Sequence, residues 1–192
     1  MKDILVIDNY DSFTYNLVHI IRELGMGDRM DVFRNDKIEL DEVGDYRHIL
    51  LSPGPGLPGD AGIMPQVIST YGSSKNILGV CLGHQGIGEA FGGNLYNLPI
   101  VYHGVVTEIS LTVQDDIFEG VPDTFNVCRY HSWIISEEGF PKDLNITARD
   151  ANGQIMAIKH RSFNIRGVQF HPESIMTEHG VQIIHNWLKI AS

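Results

Sequence analysis

Cysteine is scarce in this chain: two residues, Cys81 and Cys128, in 192. Two thiols are too few for the disulfide framework of a secreted domain, and both lie in internal-looking settings, so a reducing cytoplasm is expected. Cys/His spacing of the zinc type is missing, and no metal site is expected in the chain. Basic residues are outnumbered, 14 Lys and Arg against 24 Asp and Glu, for a formal net charge of −10. That balance excludes a broad cationic surface for nucleic acid and a basic membrane-binding helix. No run approaches the roughly 20 apolar residues of a membrane span. Met1 to Asp8 holds only a short Ile-Leu-Val-Ile run, less than the apolar stretch of a signal peptide.

What is present is the material of a core. With 43% hydrophobic and 20% charged residues, the chain reads as one compact domain over 1–192. Ile4 to Ile7 reads as a strand, followed by Leu17, Ile20, Ile21 and Leu24 at helical spacing and a Gly25 stop. Val32-Phe33, Ile49 to Leu51 and Ile77 to Val80 continue as buried strands, with helices predicted near Ile63 to Tyr71 and Gln85 to Phe91. This alternation predicts an α/β fold, an open and mostly parallel twisted sheet with helices on both faces. From Val105 to Phe170 the texture turns β-rich, which predicts a small antiparallel elaboration and further central strands. Val181, Ile184, Trp187 and Leu188 mark a closing helix that covers one sheet face.

The strongest chemical signal is Gly79-Val80-Cys81-Leu82-Gly83-His84-Gln85, a buried strand running into a G-x-C-x-G turn and then a helix. This is the cysteine counterpart of a nucleophile elbow. Flanking glycines let strand and helix backbones approach, which lifts Cys81 to a helix N-terminus that favours thiolate. The Leu82 N–H then falls where an oxyanion would form. An arbitrary cysteine is more often a small buried residue, and Cys128, in a plain strand-like run, keeps that reading.

A nucleophilic thiol needs a base. Gly167-Val168-Gln169-Phe170-His171-Pro172-Glu173-Ser174 supplies one, since residues i and i+2 of an extended segment share a face. His171 is read as the base and Glu173 as the carboxylate that orients it. Ninety residues separate His171 from Cys81, but both motifs end predicted strands, where functional groups of doubly wound sheets collect. His84 is assigned a structural role because the elbow points it away from the sulfur; His103 and His131 occupy turn-like contexts suited to contacting a ligand. The third signal is Ser52-Pro53-Gly54-Pro55-Gly56 after the strand His48 to Leu51, a loop suited to presenting N–H groups to an anion.

Together GVCLGHQ, SPGPG and GVQFHPES resemble the class I glutamine amidotransferases, the Cys-His-Glu triad family, over essentially the whole length. The resemblance implies a flavodoxin-like fold and hydrolysis of L-glutamine through a thioester on Cys81, with His171 as base then acid and Glu173 orienting it. It further implies an oxyanion hole from the Gly56 and Leu82 N–H groups, and substrate contacts from Gly54, Pro55, Gly56, Gln85 and the backbone at His131 and Ser132. Ile7-Asp8-Asn9-Tyr10-Asp11-Ser12-Phe13-Thr14-Tyr15-Asn16-Leu17 is similar to the start of amidotransferase subunits that serve chorismate-using synthases. That implies a hetero-oligomer in which ammonia passes to a partner synthase, for anthranilate in the tryptophan pathway, for aminodeoxychorismate in the folate pathway, or for both. No cofactor is expected in this chain; Mg²⁺ is expected in the partner. The chain departs from the family after His103-Gly104, where Val105-Val106-Thr107 stands in place of the usual basic residue. Two rivals remain, a stand-alone Cys hydrolase of γ-glutamyl or peptide bonds and a non-catalytic regulatory module.

Overall fold

The computed structural model describes residues 3–190; Met1 and Lys2, part of the segment read for a leader, and 191–192 lie outside the described residues. The chain opens with β1 (Ile4–Asp8), α1 (Thr14–Glu23), β2 (Met30–Arg34), β3 (His48–Leu51), α2 (Met64–Tyr71), β4 (Asn76–Val80) and α3 (Leu82–Ala90). It continues through β5 (Leu95–Asn97), β6 (Val105–Leu111), β7 (Thr124–Arg129), β8 (Trp133–Ile135), β9 (Leu144–Asp150), β10 (Ile155–His160), β11 (Ile165–Val168) and α4 (Gly180–Lys189).

One nine-stranded sheet runs β2-β1-β3-β4-β11-β10-β9-β6-β7. The half from β2 to β11 is parallel, as predicted, and β11 is the late central strand that the β-rich texture announced. Beyond β11 the strands alternate direction, and β5 pairs with β8 in a separate two-stranded ribbon. Strands buried on both faces explain the continuous apolar runs of β1, β3 and β4.

Successive residues of those strands face opposite sides, so the core divides in two. Ile4, Val6, Leu50, Leu78 and Val80 pack with Leu17 and Ile21 of α1 and Ile184 and Trp187 of α4. Leu5, Ile7, Ile49, Leu51 and Ile77 pack on the other side with Met64, Val67 and Ile68 of α2 and Leu82 and Ile87 of α3. Gly25 takes φ +78°, fitting its place just beyond α1.

Three predicted details shift. Val32 and Phe33 are only half-buried, because β2 is the edge strand. The third helix begins at Leu82 rather than Gln85, so the cysteine itself caps it. In α4 Val181 faces solvent and Ile183 is buried in its stead.

Candidate active site

The parallel strands bring their carboxyl ends to one edge: Leu51 of β3 is in register with Gly79 of β4, and Val80 with Val168 of β11. Cys81 leaves that edge with φ 51° and ψ −97°, a conformation strained for any residue with a Cβ. The strain is held from both sides. Its N–H donates to the Val168 carbonyl at 2.8 Å, and its own carbonyl accepts from the Gln85 N–H at 3.0 Å.

Glycine is required at both flanks. A Cβ on Gly79 would lie 2.4 Å from the Gly83 carbonyl carbon, and one on Gly83 would lie 2.6 Å from the Leu51 carbonyl oxygen. Gly79→Ala is therefore expected to destabilise the protein by about 3 kcal/mol, because only main chain stands in the way. Denaturant titration checks this, and an unchanged midpoint would contradict such close packing.

His171 and Glu173 lie beyond the end of β11, the strand beside the elbow, and not in the extended run predicted: a turn closed by the Ser174 N–H on the His171 carbonyl at 3.2 Å sets the pair. The His171 Nδ1 and Glu173 Oε1 lie 2.6 Å apart, and both side chains are buried. The main chain fixes the segment independently of the imidazole: the His171 N–H donates to the Cys128 carbonyl at 3.0 Å, and Thr177 Oγ1 donates to the His171 carbonyl at 2.6 Å. Phe13 and Tyr130 meet the ring edge-on, with centroids 5.8 and 5.1 Å away. Burial disfavours the imidazolium, but interactions with the Cys81 sulfur and with Glu173 outweigh it and raise the His171 pKa to about 10. The arrangement can accept a proton from the thiol and hold it.

The loop after β3 lies against the elbow. Gly54 has no room for a side chain, since a Cβ would meet Asn9 at 2.6 Å and Leu82 Cδ2 at 2.8 Å. Asn9 locks this loop: its backbone N–H donates to Ser52 Oγ at 2.8 Å and its side-chain amide to the Ser52 carbonyl at 2.8 Å. Pro55 and Gly56 are exposed beyond that anchor, Gly56 with φ +78°.

Gln85 is buried on the first turn of α3, and its Nε2 donates to the Trp133 carbonyl at 2.8 Å and to Gln169 Oε1 at 3.3 Å. The stretch after β7 passes close to Cys81, with the Tyr130 carbonyl 3.9 Å from its Sγ. The His131 ring is consumed internally, accepting from Arg129 Nε at 3.0 Å and donating from Nδ1 to the Trp133 carbonyl at 3.0 Å. The His131 side chain therefore holds the segment, which leaves its main chain to meet a ligand. The His131 and Ser132 carbonyls already accept from the N–H groups of Tyr102 and Leu98. His103 lies edge-on to Tyr130 at 5.5 Å, and the departing pair Val105-Val106 is exposed at the start of β6. Cys128 is buried within β7.

His84 turns under the sheet rather than toward the sulfur, packed so tightly on β11 that a Cβ at Gly167 would lie 2.8 Å from its Nδ1. Burial lowers its pKa to about 3, and burial with the Arg129 charge lowers that of His131 to about 3. Both stay neutral in the fold but titrate near 6.5 once unfolded, so stability is lost as pH falls through that range. From pH 7 to 5.5 the pair removes about 2–3 kcal/mol. Urea denaturation across that range is expected to show the fall, and a flat profile would contradict neutral burial.

Several participants had no signal of their own in the sequence. Gln169 Nε2 lies 3.6 Å from Cys81 Sγ, and Asn9, Phe13 and Tyr130 shape the site from remote positions. Among the described residues no group of three or more His, Cys, Asp or Glu is arranged to hold a metal ion. No helix among them is long and apolar enough to cross a membrane.

Comparison with known proteins supplies the family. The family model described as glutamine amidotransferase class-I matches residues 5–191. Anthranilate synthase component 2 of Cyanophora paradoxa is 45% identical, covering 96% of this chain and 97% of that one. The protein of that name from Mycobacterium tuberculosis is 44% identical, covering 96% and 81%. The bifunctional protein TrpGD of Thermotoga maritima is 44% identical over 99% of this chain, which spans only 32% of that longer protein. Among solved structures, a protein described as a GMP synthase component, from Thermoplasma acidophilum, superposes with a TM-score of 0.86 at 28% identity, covering 98% and 92%. A glutamine amidotransferase from Thermotoga maritima, at 15% identity and TM-score 0.70 over 90% and 76%, shares the fold. With a family model matched along nearly all of its length and relatives of comparable size above 40% identity, the chain belongs to the class-I glutamine amidotransferases.

Proposed function

We propose that this chain is the glutamine-hydrolysing subunit of a two-component synthase, and that Cys81, His171 and Glu173 perform the hydrolysis. The observation that carries the reading is the 2.6 Å Glu173–His171 contact just past the strand adjoining a strained cysteine elbow. In this mechanism the Cys81 proton passes to His171 Nε2, and the sulfur electron pair attacks the side-chain amide carbon of L-glutamine. The carbonyl oxygen becomes an oxyanion held by the Leu82 and Gly56 N–H groups. Breaking the C–N bond, with the proton returned from His171, releases ammonia and leaves a γ-glutamyl thioester. Water, deprotonated by His171, then attacks the thioester to give glutamate and restore the thiol.

The substrate's amino-acid end falls to Gln85, to main chain at Gly54, Pro55 and Gly56, and to main chain at His131 and Ser132. No cofactor enters these steps. The partner is a chorismate-using synthase, which would carry its own Mg²⁺, and the names of the relatives favour anthranilate as its product. Ammonium in neutral water lacks the lone pair needed for attack, so delivery through a docked hetero-oligomer is favoured. Ile100, Val101, Val105 and Val106, exposed on and beside the loop that precedes β6, are apolar surface suited to such docking. In keeping with its two free thiols, the chain is assigned to the cytoplasm as a single domain over 1–192.

The test is glutamate release by this chain alone, then mixed in turn with anthranilate-type and aminodeoxychorismate-type synthase chains. Stimulation by the anthranilate-type chain is expected. Stimulation by the other alone would move the assignment to folate, and failure of both ammonia-competent partners would leave a stand-alone hydrolase.

A further inference from the structure

The GVQFHPES segment carries one more group that touches the sulfur. Gln169 is fully buried, its backbone N–H donates to the Met156 carbonyl at 2.9 Å, and its Nε2 lies 3.6 Å from Cys81 Sγ. Which end of this amide faces the sulfur is decided by its neighbours. The Trp133 carbonyl can only accept, so the end of Gln85 that meets it at 2.8 Å is the NH₂ group. That same NH₂ group lies 3.3 Å from Gln169, so the Gln169 atom facing it is the oxygen. The Gln169 NH₂ group is thereby turned toward Cys81.

We propose that Gln169 is a further catalytic residue, a fixed N–H donor that stabilises the Cys81 thiolate without exchanging a proton with it. The proposal rests on Cys81 being the nucleophile. An amide donor has no basic lone pair to compete for the thiol proton, so its bond strengthens as the sulfur becomes negative. The proton still goes to His171 Nε2 and the electron pair stays on sulfur. A further polar neighbour of the sulfur, the Tyr130 carbonyl at 3.9 Å, can only accept and favours the protonated thiol. Gln169 supplies the opposing preference. Gln169, His171 and Glu173 lie on one short stretch just past β11 that turns between His171 and Ser174, so donor, base and orienting carboxylate come from a single segment.

The experiment is the pH dependence of iodoacetamide alkylation, read at Cys81 by peptide mapping, in wild type, Gln169→Met and Gln169→Glu, with Cys81→Ala as control. Methionine keeps the volume and removes the donor; glutamate keeps the shape and presents an acceptor, so it carries the test should the methionine variant fail to fold. The midpoint is expected to rise by about one pH unit in Gln169→Met and further in Gln169→Glu. Glutaminase kcat should fall roughly tenfold with KM little changed, the mark of an interaction made to the reacting sulfur. A midpoint unmoved in folded variants overturns the proposal. Glutamine hydrolysis that survives in Cys81→Ala would instead remove the nucleophile, and the proposal with it.

Discussion

Cys81→Ala is expected to lower glutamine-dependent synthesis by the assembled complex by at least roughly 10⁴-fold, while synthesis from added ammonium salts continues at the wild-type rate. The two halves of this result have separate physical causes. Without sulfur there is no atom to form the thioester, and neither His171 nor an oxyanion site replaces a missing nucleophile. The fold survives because alanine keeps the Cβ that the elbow already accommodates, and the two backbone hydrogen bonds of residue 81 involve no side-chain atom. Both halves are read in one assay with amide-labelled glutamine or ammonium as nitrogen source. Undiminished glutamine use would remove Cys81 from the mechanism.

Substitutions at His171 and Glu173, the proposed base and its carboxylate, are expected to separate proton transfer from binding. His171→Ala slows labelling of Cys81 by a glutamine-like electrophile by roughly 10⁴-fold, and Glu173→Gln slows turnover by roughly 10³-fold with KM little changed. His171→Ala keeps its main-chain anchors to Cys128 and Thr177, so the fold is expected to persist. Glu173→Gln is nearly isosteric but loses the negative charge that helps raise the His171 pKa to about 10. Its pH–rate profile should therefore show His171 losing its proton at lower pH than in wild type. Normal labelling in His171→Ala would contradict the base assignment, and an unshifted profile in Glu173→Gln would contradict the orienting role.

The elbow is legible in the sequence because its constraints are local: Gly79, Cys81 and Gly83 lie within five residues, and each glycine answers to a specific backbone contact. The His171–Glu173 pair is legible from its close spacing, but a turn closed by the Ser174 N–H on the His171 carbonyl, rather than the shared face of an extended strand, brings the two side chains together. Contacts across the fold carry no such mark. Asn9 and Ser52 are 43 residues apart, and Gln169 and Cys81 are 88 apart; only the parallel pairing β1-β3-β4-β11 brings them together. The start of α3 is obscured because Gly83, Gly86 and Gly88 lower its helix propensity, and burial of Leu82 to Gly88 overrides that weakness. Val181 faces outward, against the spacing, because tertiary packing pins the first turn of α4. A Cβ at Gly180 would lie 1.8 Å from the Pro172 carbonyl oxygen, so the helix docks on the segment that carries His171 and Glu173, and Ile183 takes the inward position.

The most direct measurement is rapid acid quench of the working complex with glutamine, followed by peptide mass mapping. A γ-glutamyl thioester on the Cys81 peptide, absent from Cys81→Ala and more abundant when the water-attack step is slowed, is the predicted result. Steady glutamate release with no adduct on Cys81 at any quench time, at a rate matched by Cys81→Ala, would contradict the account.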